Sequence, residues 1–492
     1  MPHKFQLASA NLGFLPRSLT LHADMEYALT HTDTQLAVLA PNDSESSHAF
    51  TGECTELAGQ TLMLCPLNTA NAAALRAGLP WLQPRPLGLK TSAGMGDRLG
   101  LATPGHVRAV RFTGSKIAPI FAQQSIREMT RTGRTPQQVM DDATWGIFAE
   151  GWQDGFGADA DHLKTPADTD ACLAAGFTFF TIDPGAHVDN RPESVSLNEL
   201  RELADILPVD IQPRTSGLLN KVFDIEGLSI SFDEFTLLKA AVKYGKAVAH
   251  VASMYHHLAQ TAGTRPFELE VSVDETEQPT SHAEHIYIAS ELRRLGVQWV
   301  SLAPRYVGRF EKGVDYIGDI ATFETDFAGH VAIARQFGGY KLSLHSGSDK
   351  FSIYPIAARL SEGLVHLKTA GTSYLEALRT IAALDVDFFH EIYLFARERY
   401  DIDKTSYHVS AEVANAPTPD SVTDWASLLE QFDAREIFHV TFGSVLTDRN
   451  SDGQLRFCDH FISLLRANPE AYATNLEKHF VRHLKPFLPM EQ

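Results

Sequence analysis

The sequence is poor in the features that mark disulfide-stabilised, metal-ribbon and membrane proteins. Its 492 residues include four cysteines, and none of them has the CxxC spacing of a structural zinc site or redox pair. No run of about 18 apolar residues occurs, and the N-terminal stretch MPHKFQLASANLGFLPRSL lacks a continuous apolar segment. We therefore expect reduced, buried thiols and a cytoplasmic protein without a signal peptide or a spanning helix.

The chain also lacks an excess of positive charge. Its 42 Lys and Arg residues are outnumbered by 61 Asp and Glu residues, which gives a formal net charge of −19. Nucleic-acid binding draws on clustered cations that neutralise phosphates, so the composition disfavours that class of partner. A small anionic substrate needs only a few local cations and remains compatible with this composition. The sequence leaves the oligomeric state open, a homo-oligomer included.

Motifs for nucleotide binding and for serine nucleophiles are absent as well. The glycines of TSAGMGDRLG do not fit the GxGxxG spacing, and neither a P-loop nor a GxSxG sequence occurs. We interpret TSAGMGDRLGLATPGH as a tight turn that brings Asp97, Arg98 or His106 near a site.

Alternating apolar runs and helical stretches dominate the chain from about residue 115 onward. The strand candidates are KIAPIFAQ, FGADADHLK, FTFFTID, FELEVSVDE, VQWVSLAP, YKLSLHS, LVHLKTAG and FHVTFGSVL. Ser281 and Glu284 form a capping box for one intervening helix, and Gly296 stands where that helix should end. The pattern predicts an α/β protein with a (β/α)8 TIM-like barrel, and the strand-like run YHVSAEV leaves the strand count open.

Two segments lie outside this alternating pattern. Residues 1–110 are mixed and include the proline-rich stretch LPWLQPRPLGLK, so we predict an N-terminal addition there. Residues 111–492 then form the catalytic barrel. Within them, the helical segment at about 190–260 is longer than one crossover, and we predict that it is an insertion.

Polar residues of the types that bind metals and transfer protons gather at the ends of the strand candidates. They are Asp159, Asp161, His162, Lys164, Asp183, Glu270, Asp274, Glu275, His345, His366, Lys368 and His439. A single strand-end aspartate often caps the following helix or tightens a turn. Because the chemistry of such barrels lies at the carboxyl ends of the strands, their convergence predicts a polar site at that face.

Two histidines and one carboxylate suit a divalent transition ion such as Zn²⁺, Mn²⁺, Co²⁺ or Ni²⁺ that acts as a Lewis acid. We expect His162, Glu270 and His345 to be the ligands of this ion. Strand alternation places Asp159 and Asp161 on one face and His162 on the other, unless the strand ends there. One carboxylate can then serve as a base beside the ligands.

Two other groups carry less weight. His282 and His285 have the i, i+3 spacing that could hold a metal, but a solvated helix face is favoured for them. Cys172 has no histidine partner in the local sequence, so a thiol nucleophile is not expected.

Six strings in order carry a resemblance to a known family. GDRLGLATPGH, QQSIREMTRTGRTP, GADADHLKT, FTFFTIDP, LEVSVDET and LHSGSDKFSIYP together resemble the tagaturonate/fructuronate epimerase family over about residues 90–450. The resemblance implies a barrel, a divalent metal and inversion of one hydroxyl-bearing carbon of a keto-uronate, with weak interconversion of fructose and tagatose. More distantly, Asp161-His162 and LHSGS resemble elements of class II aldolases, in which the aspartate transfers a proton and histidines bind zinc.

The carbon that differs between fructuronate and tagaturonate is β to the ketone, so the carbonyl does not acidify its C–H bond. Transient oxidation by a nicotinamide and retro-aldol cleavage with re-addition are the routes that avoid this difficulty. The lack of a dinucleotide motif favours the retro-aldol route, with direct C–H deprotonation left open. We expect Asp161 first and Glu128 second as proton-transfer groups, with Asp183 as a further catalytic residue.

The carboxylate of such a substrate needs a cation together with hydroxyl or amide donors. The expected cluster is Lys350, Ser346 and Ser348, with Lys368, Thr369 and Thr372 as the alternative. Further expected substrate contacts are Gln123, Ser125 and Lys164.

Other functions remain open beside the epimerase. A class II-type aldolase would use the same metal chemistry, and a barrel glycoside hydrolase would use strand-end carboxylates. Five tryptophans offer few sugar platforms for a hydrolase, and its mechanism would leave the histidines unexplained. The missing export signal and the proton-transfer groups count against a non-catalytic sugar-binding protein.

Overall fold

Parallel strands and helices alternate from residue 92 onward and close into a barrel. The structure, a computed structural model, describes residue 7 and residues 13–30, 35–41, 48–114 and 116–488. The N-terminal stretch MPHKFQ, part of the segment in which no signal peptide was predicted, lies outside the described residues. Across the described ranges, no helix has both the length and the apolar character needed to span a membrane.

An antiparallel sheet precedes the barrel. Its strands are β1 (Thr20–His22), β2 (Met25–Leu29), β3 (Gln35–Ala40), β4 (Glu53–Leu57) and β5 (Gln60–Pro66). They lie in the order β1-β2-β3-β5-β4, and β2 is buried along its whole length. Helix α1 (Thr69–Gly78) follows, and its N-cap is Asn68, whose side chain accepts the backbone N–H of Asn71.

The first half of the barrel begins earlier than the sequence predicted. Its elements are β6 (Ser92–Gly94), α2 (Thr103–Phe112), β7 (Ala118–Ser125), α3 (Ile126–Thr132), α4 (Pro136–Ala149), β8 (Gly157–Leu163), α5 (Pro166–Ala175) and β9 (Phe179–Ile182). The predicted boundary at residue 110 therefore falls inside α2. Strand β6 has three residues and no β-branched side chain, so the period of two that reveals longer strands could not be recognised.

The segment after β9, where an insertion was predicted at about 190–260, contains helices and a hairpin. They are α6 (Leu197–Asp205), α7 (Pro213–Ser216), the antiparallel pair β10 (Val222–Ile225) and β11 (Leu228–Ser231), and α8 (Glu234–Ala262). Lys243 of α8 is fully buried and lies 3.2 Å from Glu284 of the next barrel helix. This ion pair ties the segment to the side of the barrel.

The second half of the barrel completes the closed sheet. Its elements are β12 (Glu268–Val273), α9 (His282–Arg294), β13 (Ser301–Pro304), α10 (Ile320–Gln336), β14 (Lys341–Leu344), α11 (Tyr354–Ser361), β15 (Val365–Lys368) and α12 (Thr372–Leu384). The strands run in the order β12-β13-β14-β15-β6-β7-β8-β9, with β9 paired to β12. The predicted capping box of Ser281 and Glu284 is confirmed at the start of α9, and Gly296 follows its end with φ of 75°.

The run FHVTFGSVL, predicted as the eighth strand, is helical. After α12 the chain forms α13 (Val386–Asp403), α14 (Phe432–Thr447), α15 (Cys458–Ala467) and α16 (Pro469–Leu484). Helix α14 contains this run and is buried on nearly every side, so its continuous apolar sequence could not be distinguished from a buried strand. The run YHVSAEV, also considered as a strand, is irregular in the structure.

The four cysteines are free thiols, as the spacing predicted. Cys65 and Cys172 are buried, and Cys458 is partly buried. The prediction of a buried thiol is wrong for Cys54, which lies on the outer strand β4 and is exposed.

The interior of the barrel is polar. Strand alternation brings Lys341, Ser92 and His366 together there, and Ser92 Oγ lies 2.9 Å from both Lys341 Nζ and His366 Nδ1. All three side chains are buried. The polar lining continues toward the carboxyl ends of the strands, where the ionisable residues gather.

Candidate functional site

Lys368, the last residue of β15, stands at the centre of the ionisable cluster. Its Nζ lies 2.6 Å from Asp161 Oδ1, and it lies 2.9 Å from Asp159 Oδ2 and from Glu270 Oε1. The same ammonium donates to Thr181 Oγ1 at 2.6 Å. Burial raises the pKa of Asp159 to about 7, against the opposing charge of Lys368. Because protein carboxylates surround this ammonium, the structure does not leave it free for a substrate carboxylate.

His162 is held by the carboxylate of its neighbour Asp161. The distance from His162 Nδ1 to Asp161 Oδ1 is 2.8 Å, so this nitrogen donates its proton and Nε2 can keep a lone pair. His162 has φ of 54°, in the left-handed region that a non-glycine residue rarely adopts. This backbone conformation interrupts the strand alternation within β8, which is why His162 lies beside Asp161 rather than on the opposite face.

His345, directly after β14, is held in the same manner. Its Nε2 lies 2.6 Å from Glu270 Oε1, and its Nδ1 lies 3.1 Å from Asp274 Oδ1. A proton on Nε2 leaves the lone pair of Nδ1 directed toward Asp274. Burial opposes ionisation of Asp274, but the charge of His345 holds the pKa of that carboxyl well below its usual range.

The donor atoms of His162, Asp274 and His345 lie within 4.8 Å of one another. Two imidazole nitrogens and one carboxylate oxygen form a donor set for Zn²⁺, Mn²⁺, Co²⁺ or Ni²⁺, so these residues fit a divalent cation. Glu270 was predicted as the third ligand, but in the structure it orients His345 and contacts Lys368. Although burial acts to lower the pKa of His345, Asp274 and Glu270 raise it to about 10, so a cation bound here would compete with protons.

Within the described ranges, further groups of donor atoms meet the same distance criterion. They are His162–Asp183–Glu275, His282–Asp326–His330 and Asp349–His479–His483. The first shares His162 and borders the site. In the last, His483 Nε2 accepts the backbone N–H of Asp349 at 2.9 Å and Nδ1 donates to the carbonyl of His479 at 3.0 Å. Both nitrogens of His483 are therefore used within the protein.

The remaining histidine group lies between α9 and α10, outside the barrel. His282 Nε2 donates to the backbone carbonyl of Asp326 at 3.0 Å. His285 is fully buried, with its Nδ1 2.9 Å from His330 Nδ1 and its Nε2 2.6 Å from Tyr340 Oη. The predicted solvated helix face is wrong for His285, because α10 and Tyr340 cover it.

Glu128, predicted as the second proton-transfer group, is engaged by Arg98. The Nη2 and Nε groups of Arg98 donate to Glu128 Oε1 at 2.7 Å and 2.9 Å. Burial acts to raise the pKa of Glu128, but Arg98 holds it below its usual range. Arg98 Nη2 also lies 3.1 Å from His439 Nε2. His439 is therefore a neighbour of Arg98 on helix α14 and does not lie at a strand end. Ser125, predicted to contact substrate, accepts the backbone N–H of Glu128 as the N-cap of α3.

Three other predicted residues also contact protein groups. Gln123 Nε2 donates to Asp161 Oδ2 at 3.4 Å. Lys164 is 55% exposed, and its Nζ lies 3.2 Å from Asp183 Oδ2. Gln123 and Asp183 therefore border the cluster, while Lys164 lies at its edge.

Lys350, predicted to bind the substrate carboxylate, is fully buried and contacts the backbone. Its Nζ donates to the carbonyl groups of Glu311 at 2.8 Å, Val314 at 2.5 Å and Ser348 at 2.9 Å. Ser348 Oγ donates to the carbonyl of Ala370 at 3.3 Å. The structure therefore does not bring Lys350 to the site.

A cavity of about 370 Å³ opens onto Asp274 and His345. This volume is within the range of small-molecule sites. Its lining includes the cations Arg127, Arg305, Arg309 and Lys312. Sequence reasoning missed Lys312 because it lies in an irregular loop after β13, where no period marks which side chains point inward.

Comparisons with known proteins identify the family and support the fold. A protein-family model described as tagaturonate epimerase, UxaE, matches residues 15–487. The tagaturonate/fructuronate epimerase of Thermotoga maritima is 45% identical over 428 residues, which cover 87% of this chain and 86% of the relative. Native and glycerol-complexed crystal structures of the fructuronate-tagaturonate epimerase UxaE from Cohnella laeviribosi are 37% identical, cover 98% of both chains and superpose with a TM-score of 0.91.

Proposed function

Since the chain belongs to the tagaturonate epimerase family, we propose that it interconverts D-tagaturonate and D-fructuronate by inverting the carbon β to the ketone. Weak interconversion of D-fructose and D-tagatose is part of the proposal. One observation supports it most strongly: His162 and His345, each oriented by a carboxylate, meet Asp274 at the carboxyl end of the barrel. This arrangement supports Lewis-acid chemistry on a hydroxy-ketone.

His162, Asp274 and His345 would hold a divalent transition ion. When bound, the ion would polarise the ketone and stabilise an enediolate. Asp161 and Glu270 would fix the two imidazole rings, and Lys368 would balance the charge of both carboxylates. Ligand orientation of this kind by partner carboxylates contributes strongly to metal affinity.

The proposed reaction is a retro-aldol cleavage followed by re-addition. The bond between the inverted carbon and the ketone's α-carbon breaks, its electrons enter the enediolate, and the hydroxyl proton passes to a carboxylate. The aldehyde turns over, the bond re-forms on its other face and the proton returns. Two carboxylates flank His162: Asp161 Oδ1 lies 2.8 Å from Nδ1, and Glu275 Oε1 lies 3.7 Å from Nε2. We assign proton transfer at the two faces to Asp161 and Glu275.

The proposal is tested by incubating the purified protein with D-tagaturonate in D₂O and following the products by NMR. We expect D-fructuronate without deuterium at the inverted carbon, because its C–H bond stays intact in the retro-aldol route. Deuterium at that carbon would contradict the retro-aldol route and leave the epimerase function standing. Absence of D-fructuronate would contradict the function itself, and net accumulation of three-carbon fragments would indicate an aldolase.

Metal dependence is tested separately. We expect EDTA to abolish the activity and Zn²⁺, Mn²⁺, Co²⁺ or Ni²⁺ to restore it. Full activity after removal of all bound metal, checked by elemental analysis, would refute the proposed role of His162, Asp274 and His345.

A further inference from the structure

The lysines expected to bind the substrate carboxylate are both occupied by protein groups. Lys350 Nζ contacts three backbone carbonyls, and Lys368 Nζ contacts three carboxylates. A keto-uronate that enters the cavity carries a full negative charge, which needs a cation once water is excluded. The candidates are the other cations of the cavity wall.

Lys312 is linked to the proposed ligands through the residue that follows His345. Its Nζ donates to Ser346 Oγ at 2.6 Å, and Ser346 directly follows His345. In the part of the chain that the structure describes, no carboxylate oxygen lies within 4.0 Å of Lys312 Nζ. The ammonium is therefore fixed beside the proposed site and retains capacity for an anion.

The arginines of the same wall are less suited to this role. Arg127 lies 3.3 Å from Glu275, and Arg309 lies 3.2 Å from Glu311, so both already face a carboxylate. Arg305 lines the cavity as well, but no hydrogen bond of its side chain to a described residue fixes it there. Arg305 thus serves as the matched alternative in the experiment.

The backbone on both sides of Lys312 is held in place. Lys350 binds the carbonyls of Glu311 and Val314, and Arg435 Nε donates to the carbonyl of Gly313 at 2.7 Å. Gly313 has φ of 73°, and a Cβ atom there would lie 3.0 Å from a ring nitrogen of His439. The loop is therefore preorganised, which lowers the entropic cost of binding an anion through its side chain.

We propose that Lys312, together with Ser346, binds the carboxylate of the substrate and makes the site selective for keto-uronates over neutral ketohexoses. This inference rests on the proposed function. In the retro-aldol route, the carboxylate belongs to the aldehyde fragment, one carbon away from the inverted carbon. Rotation about the intervening bond can present either aldehyde face while the carboxylate stays bound. Lys312 therefore holds the aldehyde fragment in the site while its aldehyde group rotates.

The experiment compares Lys312→Met with Lys312→Arg, Arg305→Met and the exposed control Lys221→Met. The measurements are kcat/KM for D-tagaturonate and for D-fructose, the inhibition constant of D-glycerate, and release of free dihydroxyacetone during turnover. For Lys312→Met we expect kcat/KM for D-tagaturonate to fall about 10- to 100-fold further than for D-fructose, as the loss of a charged hydrogen bond predicts. D-glycerate should inhibit correspondingly less, and dihydroxyacetone release should rise.

The variants separate the possible results. Partial recovery in Lys312→Arg and unchanged kinetics in Lys221→Met support a charge effect at residue 312. Equal loss on both sugars in Lys312→Met, or selective loss in Arg305→Met alone, overturns the proposal. If the unmodified protein does not convert D-tagaturonate, the proposed function fails. Calorimetric binding of D-glycerate to the unmodified protein and to Lys312→Met then decides the anion site independently.

Discussion

Three groups among the described residues combine two histidines with one aspartate. Two of them, at the barrel end and between α9 and α10, differ in the groups that contact the second ring nitrogen of each histidine. At the barrel end, His162 and His345 each have one ring nitrogen against a carboxylate. Between α9 and α10, His282 donates to a backbone carbonyl, and His330 contacts the ring of His285.

This difference determines which nitrogen lone pairs are available. A carboxylate that accepts one ring proton directs the opposite lone pair toward a shared point and strengthens it as a ligand. In the group between the helices, the His282 nitrogen nearest Asp326 carries a proton and donates it to the backbone carbonyl of Asp326. This nitrogen therefore offers no lone pair to a cation. Donor composition and distance do not distinguish these two groups, whereas the orienting carboxylates set the proposed cation site apart from the group between the helices.

The largest expected effect separates the two groups by removing one histidine from each. His345→Ala should lower kcat/KM for D-tagaturonate more than about 1,000-fold and abolish bound metal, because Lewis-acid assistance supplies several kcal/mol. His282→Ala should leave both quantities within about twofold, as expected for a residue outside the site. Elemental analysis and steady-state kinetics check this, and equal metal loss in both variants would erase the distinction.

The second effect concerns Lys368, whose ammonium group lies among the buried carboxylates of the barrel site. Lys368→Met leaves Asp159, Asp161 and Glu270 close together and buried, so we expect the free energy of unfolding to fall by about 3–5 kcal/mol. The control Lys239→Met breaks a half-exposed pair with Glu193 and should cost less than about 1 kcal/mol. Urea unfolding of both variants measures the difference, and similar losses would contradict the central position of Lys368.

A smaller effect tests the orienting carboxylate itself. Glu270→Gln keeps the shape of the side chain but weakens its hold on His345, so we expect metal affinity to fall about 10- to 100-fold. Asp326→Asn is the matched change in the other group and should leave metal affinity unchanged. Competition with a chelator measures both affinities. An unchanged affinity in Glu270→Gln would show that orientation contributes little.

The smallest effect is a pH dependence of the free energy of unfolding that arises in the group between the helices. Burial lowers the pKa of His285 to about 3, and its surroundings are His282, His330 and Tyr340. A depressed folded-state pKa provides stability above the unfolded value of about 6.5, and this stability is lost as pH falls toward 3. Below about pH 6, His285 should reduce the free energy of unfolding by about 1.4 kcal/mol per pH unit.

His285→Gln should therefore show a shallower decline in the free energy of unfolding than the unmodified protein. Urea unfolding at pH 7, 6 and 5 makes the comparison, and His257→Gln, which changes a partly exposed histidine paired with Asp170, is the control. Parallel pH profiles for the unmodified protein and His285→Gln would contradict a neutral, buried His285.

The barrel could be predicted because most of its strands are short apolar runs separated by helical periods. The runs that became β7, β8, β9 and β12 to β15 all carried that signal. Strand β6 was too short to show it, and α14 imitated a strand because burial on all sides removes the helical period from a sequence. The missing strand and the false one therefore have different causes: β6 has too few residues to show a period, and burial on all sides hides the period of α14.

The sequence predicted the site residues that lie at the ends of strands. Asp161, His162 and His345 meet because parallel strands bring their carboxyl ends to one face. The choice between Glu270, the ligand predicted from sequence, and Asp274, the proposed ligand, depends on where β12 stops, since Glu270 lies within the strand and Asp274 lies one residue beyond it. Sequence alone does not locate that boundary to one residue.

The lysines show a second limit of sequence reasoning. Ser346 and Asp349 both adopt positive φ values, 47° and 61°, although neither is glycine. The turn between them directs Lys350 back onto the backbone of the loop that carries Lys312. Proximity in sequence to His345 therefore pointed to Lys350, while the folded turn brings Lys312 beside Ser346.

Helix α16 makes the order of synthesis matter for this protein. His483 accepts the backbone N–H of Asp349 in the turn after His345, and the ring of Phe480 packs at 4.5 Å against His106 of α2. A ribosome delivers α16 long after β14 and α2 have emerged. A nascent chain can therefore pair its strands during translation, but the turn beside the proposed ligands becomes fixed only when α16 docks.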